Sequence, residues 1–380
     1  MPRPSLLPLI DGRRVIVCAG AGGVGKTTVA AALALGAALR GKRVLCLTID
    51  PAKRLADALG LGPLGPEPRA VAPERFEELG VSVTGSLSVL VLDTKSTFDE
   101  LVTRHAPSAE VRDRILGNQL YHYVSTSLAG TQSYMAMEKV LAVKSDPRFD
   151  LVVLDTPPTS DALDFLDAPE RLIEALDSPA MRWLVQAFTS SGTLSLNLLA
   201  RGVAALLRSV GKLTGQGFLE HMAEFVSELN ELFGGFKDRA RQVAQAFRGP
   251  EFAYVIVATP SPIALGEARF FSSRLAEGGM RGDAVVMNRV NPRGGQRPTL
   301  PELEASLVKH GLGAALAPAV LAATDEEGRQ GELDGALLER FDRELAALRG
   351  GAPLVLEVPV LAGEVHEFRT LRTIAARLLA

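Results

Sequence analysis

The chain has 380 residues, with 41 Lys and Arg against 44 Asp and Glu, a net charge of −3 and 47% hydrophobic residues. That length supports a sizeable core, and the near balance of charge gives no overall electrostatic case for nucleic acid or an anionic membrane as partner. Two cysteines without a C-x-x-C pair support neither a secreted disulfide framework nor a zinc site.

The N-terminal stretch Met1 to Ile10 is interrupted by prolines and lacks the continuous apolar core of a signal peptide. No run approaches the roughly 18 apolar residues of a membrane span. A cytoplasmic protein without stable membrane insertion is expected.

The first strand is predicted at Val15 to Cys18. It leads into Gly20-Ala21-Gly22-Gly23-Val24-Gly25-Lys26-Thr27-Thr28, ahead of a helix-forming run from Val29 to Leu35. A strand, a turn spaced G-x-x-x-x-G-K-[ST] and a helix make a phosphate-binding loop. Backbone N–H groups from Gly22 to Thr28 point into one concavity, Lys26 reaches the β- and γ-phosphates, and Thr27 offers its hydroxyl to Mg²⁺. The helix behind the loop aims the positive end of its dipole at the same anion.

Six further apolar runs follow: Val44 to Ile49, Ser88 to Leu92, Leu151 to Leu154, Tyr254 to Ala258, Ala284 to Met287 and Leu354 to Val358. Runs that are apolar throughout fit strands buried on both faces, which predicts an α/β fold with a doubly wound, mostly parallel sheet of the P-loop NTPase type. Several runs end in turn or polar residues: Gly20 with Ala21, Asp50-Pro51, Asp155-Thr156, Thr259-Pro260-Ser261 and Asn288. Ligands of open α/β sheets bind at carboxyl ends, so these positions are expected to converge on one nucleotide. Four apolar residues ending in Asp155 also form a Walker B pattern, whose carboxylate serves Mg²⁺.

Between the strands, Ser261-Pro262 reads as a helix start and Thr299-Leu300-Pro301-Glu302 as a capping box. Gly350-Gly351 is expected to end a helix running through Leu337, Leu338, Phe341, Leu345 and Leu348. Phe368, Leu371, Ile374 and Leu378, punctuated by Arg369, Arg372 and Arg377, read as a last helix covering the sheet. Two segments, about 96–145 and 170–248, break the strand rhythm. The second has helical spacing at Leu199, Val203, Leu206, Leu207 and Val210, and again from Leu219 to Phe233. We expect a single P-loop ATPase domain over residues 1–380, with these segments as a helical insertion layer.

Together these residues resemble the ArsA family of deviant P-loop ATPases, which includes the arsenite-pump ATPase and the factors that target tail-anchored membrane proteins. Asp50-Pro51-Ala52 is similar to the family's switch I, and Asp155-Thr156-Pro157-Pro158-Thr159 to its switch II. Val285-Val286-Met287-Asn288-Arg289 resembles its adenine-reading strand end, and Val358 to Val365, with Pro359, its late adenine-side loop. The resemblance implies ATP or ADP with Mg²⁺ as ligands and a homodimer. Asp50 would orient the attacking water, Lys26 and the Gly22 to Thr28 backbone would hold the phosphates, Thr27 and Asp155 would serve Mg²⁺, and Asn288 and Pro359 would contact adenine.

Departures from the family pattern matter as much. The family's early P-loop lysine, which reaches across the dimer to the partner's phosphates, is here Ala21. Lys53 and Arg54 are candidate replacements, and Ser160-Asp161 stands where Gly-His is usual. The resemblance implies a switch ATPase handling a hydrophobic protein client of the tail-anchored type. Ala21 keeps open a nucleotide-gated scaffold with negligible turnover. A metalloid-efflux ATPase subunit is a third reading, set back by the lack of a thiolate cluster: Cys18 and Cys46 are both expected to be buried, and the five histidines show no ligand spacing.

Overall fold

The structure is a computed structural model. It describes residues 4–49, 55–56, 59–62, 64–65, 67–81, 83–118, 121–122, 125, 131–157, 165–179, 236–293, 297–347, 353–361 and 368–380. They fall into two compact units, one from residues 1–91, 146–163 and 250–380, the other from 92–145 and 164–249.

The first unit is built on a sheet that has eight strands among the described residues: β1 (Val15–Gly20), β2 (Arg43–Thr48), β3 (Arg69–Ala70), β4 (Ser86–Val91), β5 (Leu151–Asp155), β6 (Phe252–Ala258), β7 (Gly282–Val290) and β8 (Leu354–Pro359). Their order is β3-β4-β2-β5-β1-β6-β7-β8, parallel except for β3 against β4. Each of the seven apolar runs read from the sequence is a strand. β1, β5 and β6 are buried at every position, and apart from Asp155 at the end of β5 their composition is that of strands covered on both faces. β4 begins two residues earlier than expected, because Ser86 already pairs with Arg43 in the ladder with β2. β3 escapes the sequence reading: both residues are exposed and backbone pairing alone defines it.

Chain winding reverses around β1. The connection after it leads to β2 on one side of β5, and the later strands build outward through β6 on the other side. The turn after β1 therefore sits at the switch point, where adjacent loops part and leave a crevice at the carboxyl ends.

Seven helices of this unit carry the argument: α1 (Leu7–Gly12), α2 (Lys26–Leu39), α3 (Pro73–Glu77), α4 (Pro262–Glu277), α5 (Leu300–Lys309), α6 (Ala317–Ala346) and α7 (Phe368–Leu378). α2 is apolar all round and buried from Val29 to Ala38, the mark of a helix enclosed by its neighbours. Its small side chains admit close packing: a Cβ on Gly36 would crowd Ala375 and Leu379. Ser261 caps α4, accepting from the Ala264 N–H at 3.3 Å, and the Thr299–Glu302 capping box opens α5. The helix expected through Leu337 to Leu348 is α6; it begins much earlier, at Ala317, and closes at Ala346, while Leu348, Gly350 and Gly351 lie outside the described residues.

In the second unit, helices span Thr94–His105, Ala109–Gly117, Thr131–Lys144, Ala168–Asp177 and residues 236–247. Asp93 and Ser108 cap the first two through their side chains. Buried Glu138 accepts from Tyr134 Oη at 2.5 Å and Arg239 Nε at 2.9 Å, so its charge is paired where water is excluded. The expected helices between Leu199 and Phe233 lie outside the described residues. Among the described residues no helix is long and apolar enough to cross a membrane.

Candidate functional site

β1 ends at Gly20, and the loop that follows turns into α2 through Gly25, whose φ of 96° lies in the left-handed region open to glycine. Gly25 occupies the N-cap of α2 with no side chain capping the helix. The first-turn N–H groups are thus oriented toward an external acceptor, the arrangement that makes helix starts bind anions. Gly22 and Gly23 are exposed, Val24 is buried, and Thr27 and Thr28 in the first turn are half-buried.

Lys26 is nearly buried, 8% exposed, and its Nζ donates to the Ala21 carbonyl at 2.8 Å. The ammonium is therefore folded back over its own loop, in the concavity ringed by backbone donors. Ala21 belongs to the buried core, so this position delivers a methyl group and no charge.

Asp155, last residue of β5, is 1% exposed. Its Oδ2 accepts from Thr27 Oγ1 at 2.8 Å and from Thr48 Oγ1, at the end of β2, at 3.2 Å. The register explains this meeting: Asp155 pairs with Cys18 on one side and Thr48 on the other, which sets the Walker B carboxylate beside the loop's threonine. The next residue, Thr156, donates from both its N–H and its hydroxyl to the Cys18 carbonyl, at 3.2 and 2.9 Å. Burial first, and then the Asp155 charge, push the thiols of Cys18 and Cys46 well above their usual range. Both stay protonated and poorly suited to thiolate chemistry.

On the other side of β1, Asn288 near the end of β7 is buried and donates through Nδ2 to the Val24 carbonyl at 2.8 Å. A Cβ on Gly25 would run into the same amide. Immediately after it Arg289 takes φ 60°, and the β7–β8 register shifts between Asn288 and Val290. That bulge leaves Pro359, at the end of β8, opposite Val290 and one strand further out than Asn288.

Thr27 with Asp155 and Val24 with Asn288 are thus joined by direct contacts, Lys26 folds onto the same loop at Ala21, and Pro359 ends the strand next to that of Asn288. Asp50, expected beside them, lies outside the described residues, as do Lys53, Arg54 and Pro158 to Ser160. Sequence reasoning missed Thr48 and Asp334. Asp334, 1% exposed in α6, accepts from the Asn291 N–H and Nδ2, both at 2.9 Å, and from Gln330 Nε2 at 3.2 Å. It anchors the segment leaving Asn288 to the long helix. A carboxylate inside a helical pattern carries no local sign of such a bond made 43 residues away.

The donor set fits a magnesium-bound triphosphate. Uncapped helix N–H groups and an ammonium suit phosphate oxygens, and a hydroxyl–carboxylate pair of hard oxygen donors suits Mg²⁺.

Comparison with known proteins agrees with this chemistry. Residues 13–303 match a family described as anion-transporting ATPase. The chain is 26% identical over 293 residues, 76% of each chain, to the ATPase GET3 of Malassezia globosa. It is 30% identical over 238 residues to the ATPase GET3 of Aspergillus terreus, covering 60% of this chain and 64% of that one. A third relative, the ATPase GET3 of Phaeosphaeria nodorum, is 27% identical over 245 residues, 62% of this chain and 67% of its own.

Proposed function

The chain belongs to the ArsA family of ATPases, and from that premise we propose that it is a MgATP-driven switch that works as a homodimer and handles a hydrophobic protein segment, in the manner of tail-anchored-protein targeting. The observation that carries the nucleotide part is the 2.8 Å contact of Thr27 with Asp155 beside the uncapped start of α2. The relatives named ATPase GET3 support the targeting reading.

In this reading the N–H groups from Gly22 to Thr28 and Lys26 hold the β- and γ-phosphates and take up charge as the terminal phosphoryl group leaves. Thr27 and Asp155 hold Mg²⁺, which when bound neutralises charge on the phosphate oxygens. Asn288 receives the adenine while fixing the loop through Val24, and Pro359 borders the base. Asp50 orients the attacking water. Phosphoryl transfer asks mainly for such positioning, so no covalent intermediate on the protein is required.

Ala21 favours one alternative, a nucleotide-gated scaffold. If the absent lysine acts as an arginine finger does, its loss costs on the order of 10³–10⁵ in turnover unless Lys53 or Arg54 compensates. Light scattering without nucleotide, with ADP and with a non-hydrolysable ATP analogue, paired with phosphate release by wild type and Asp50→Asn, separates the readings. A ligand-dependent change of mass and a rate that falls in Asp50→Asn support the switch. Equal near-zero rates in both proteins favour the scaffold, and a nucleotide-insensitive monomer contradicts the dimeric switch. Unchanged turnover in both Lys53→Ala and Arg54→Ala removes these residues as substitutes.

A further inference from the structure

We propose that a groove along α7 is a second anion site, shaped for a ligand carrying two or more phosphate groups and separate from the phosphate-binding loop. α7 turns Leu371, Ile374, Ala375 and Leu378 into the core. Its other face carries Arg369, Arg372 and Arg377, which line a cavity of about 820 Å³ closed on the far side by Glu78, Leu79 and Gly80.

Positive charge outweighs negative in the lining, with three arginines against Glu78 and the terminal carboxylate of Ala380. Glu78 is already engaged by the Arg75 guanidinium at 2.7 and 3.0 Å. Arg372 donates to the Leu79 carbonyl at 2.6 Å, which holds its guanidinium at the wall. Among the described residues no carboxylate forms an ion pair with Arg369, Arg372 or Arg377. Offsets of three and eight residues place the three cations along about 12 Å of one helix. Their mutual repulsion is relieved when an anion binds, and a guanidinium fork matches phosphate oxygens two at a time.

Size and lining narrow the ligand. The volume lies within the roughly 300–1,000 Å³ of small-molecule sites, well beyond what a single phosphate fills. Among the described residues no aromatic ring lines it, so they offer a base no stacking surface. A compact polyphosphorylated group fits, free or as a lipid headgroup. The groove is also remote from the first site: Ala375 and Leu379 pack at Gly36 of α2, about 15 Å along that helix from Lys26.

Calorimetric titration of inorganic tripolyphosphate into the full chain presaturated with MgADP tests this, because the phosphate-binding loop is then filled. Without any response to MgADP the tripolyphosphate titration still reports on the arginines, so the two readings fail separately. Flotation with phosphatidylcholine vesicles, with and without cardiolipin, tests the headgroup source. Arg369→Gln and Arg377→Gln, both at exposed positions, are compared with Arg329→Gln on the surface of α6. Expected is saturable tripolyphosphate binding that weakens by about tenfold or more in each groove variant and is unchanged in the control. Binding confined to cardiolipin vesicles, with the same arginine dependence, assigns the site to a headgroup. No binding of either probe, or binding that ignores Arg369 and Arg377, overturns the proposal.

Discussion

Replacing Asp155 by Asn separates the two things this carboxylate does. Asn keeps the shape and accepts from Thr27 and Thr48 as the native oxygen does, but it removes the charge. At 1% exposure the carboxylate is desolvated, and the Thr27 and Thr48 hydroxyls are among the groups that offset this cost. The variant keeps an acceptor oxygen for both hydroxyls and is expected to stay within about 1 kcal/mol of wild type without ligand. With ligand the two proteins separate. Wild type at a hundred times its Kd for MgADP gains about 2.7 kcal/mol, whereas a variant weakened about a hundredfold gains roughly 0.4 kcal/mol at the same concentration. Denaturant unfolding without ligand, with ADP and EDTA, and with ADP and Mg²⁺ gives all three terms. An Asp155→Asn protein that keeps the full Mg²⁺-dependent increment would refute the assignment of Asp155 to the metal.

Asp334→Ala removes three hydrogen bonds and is expected to cost about 3 kcal/mol in unfolding experiments. If the anchored segment positions the adenine side, the preference for MgADP over MgGDP in calorimetry also falls; an unchanged preference would contradict that. Gly25→Ala forces a side chain onto a left-handed residue and into the Asn288 amide, costing about 1–3 kcal/mol and abolishing MgADP binding in calorimetry. At the amino ends of the adjacent strands β2 and β5, the Arg43 fork on Asp150 pushes this carboxyl down to about 2. A depressed pKa stabilises the fold above the unfolded value of about 3.9 and loses that contribution as pH falls toward 2. Because the pair is partly exposed, Asp150→Asn should cost about 1 kcal/mol at neutral pH and almost nothing near pH 2; a pH-independent difference would contradict the linkage. Arsenite should leave ATP turnover unchanged, since burial holds both thiols protonated, and marked stimulation would reopen the metalloid reading.

The parts of this fold that were legible in sequence are those where one local pattern suffices. Val15, Leu151 and Tyr254 begin apolar runs that are buried at every position because both faces are covered, although the third strand starts two residues before its run, at Phe252. Lys26 and Thr27 are fixed by loop spacing, and Asp155 by its place at a strand end. Asn288 was placed near the nucleotide by its position at the carboxyl end of an apolar run, while its role toward adenine was implied by family resemblance alone. Illegible elements depend on distant partners. Arg69 and Ala70 form a strand through backbone pairing with β4. α6 continues through Gly328, Gly331 and Gly335, which argue locally against a helix. Gly331 and Gly335 lie where Pro292 and Arg293 come against the helix, and Asp334 between them bonds the same segment, so tertiary contact outweighs propensity there.

Nucleotide handling by this protein depends first on the loop from Gly20 to Thr28 gripping the phosphates. Titration calorimetry of MgADP and a non-hydrolysable MgATP analogue into wild type and Lys26→Ala tests this most directly. Saturable binding of both by wild type, with loss of at least the analogue in Lys26→Ala, is the result predicted. Absence of heat for folded wild type at millimolar nucleotide, or equal affinity in the two proteins, would contradict it.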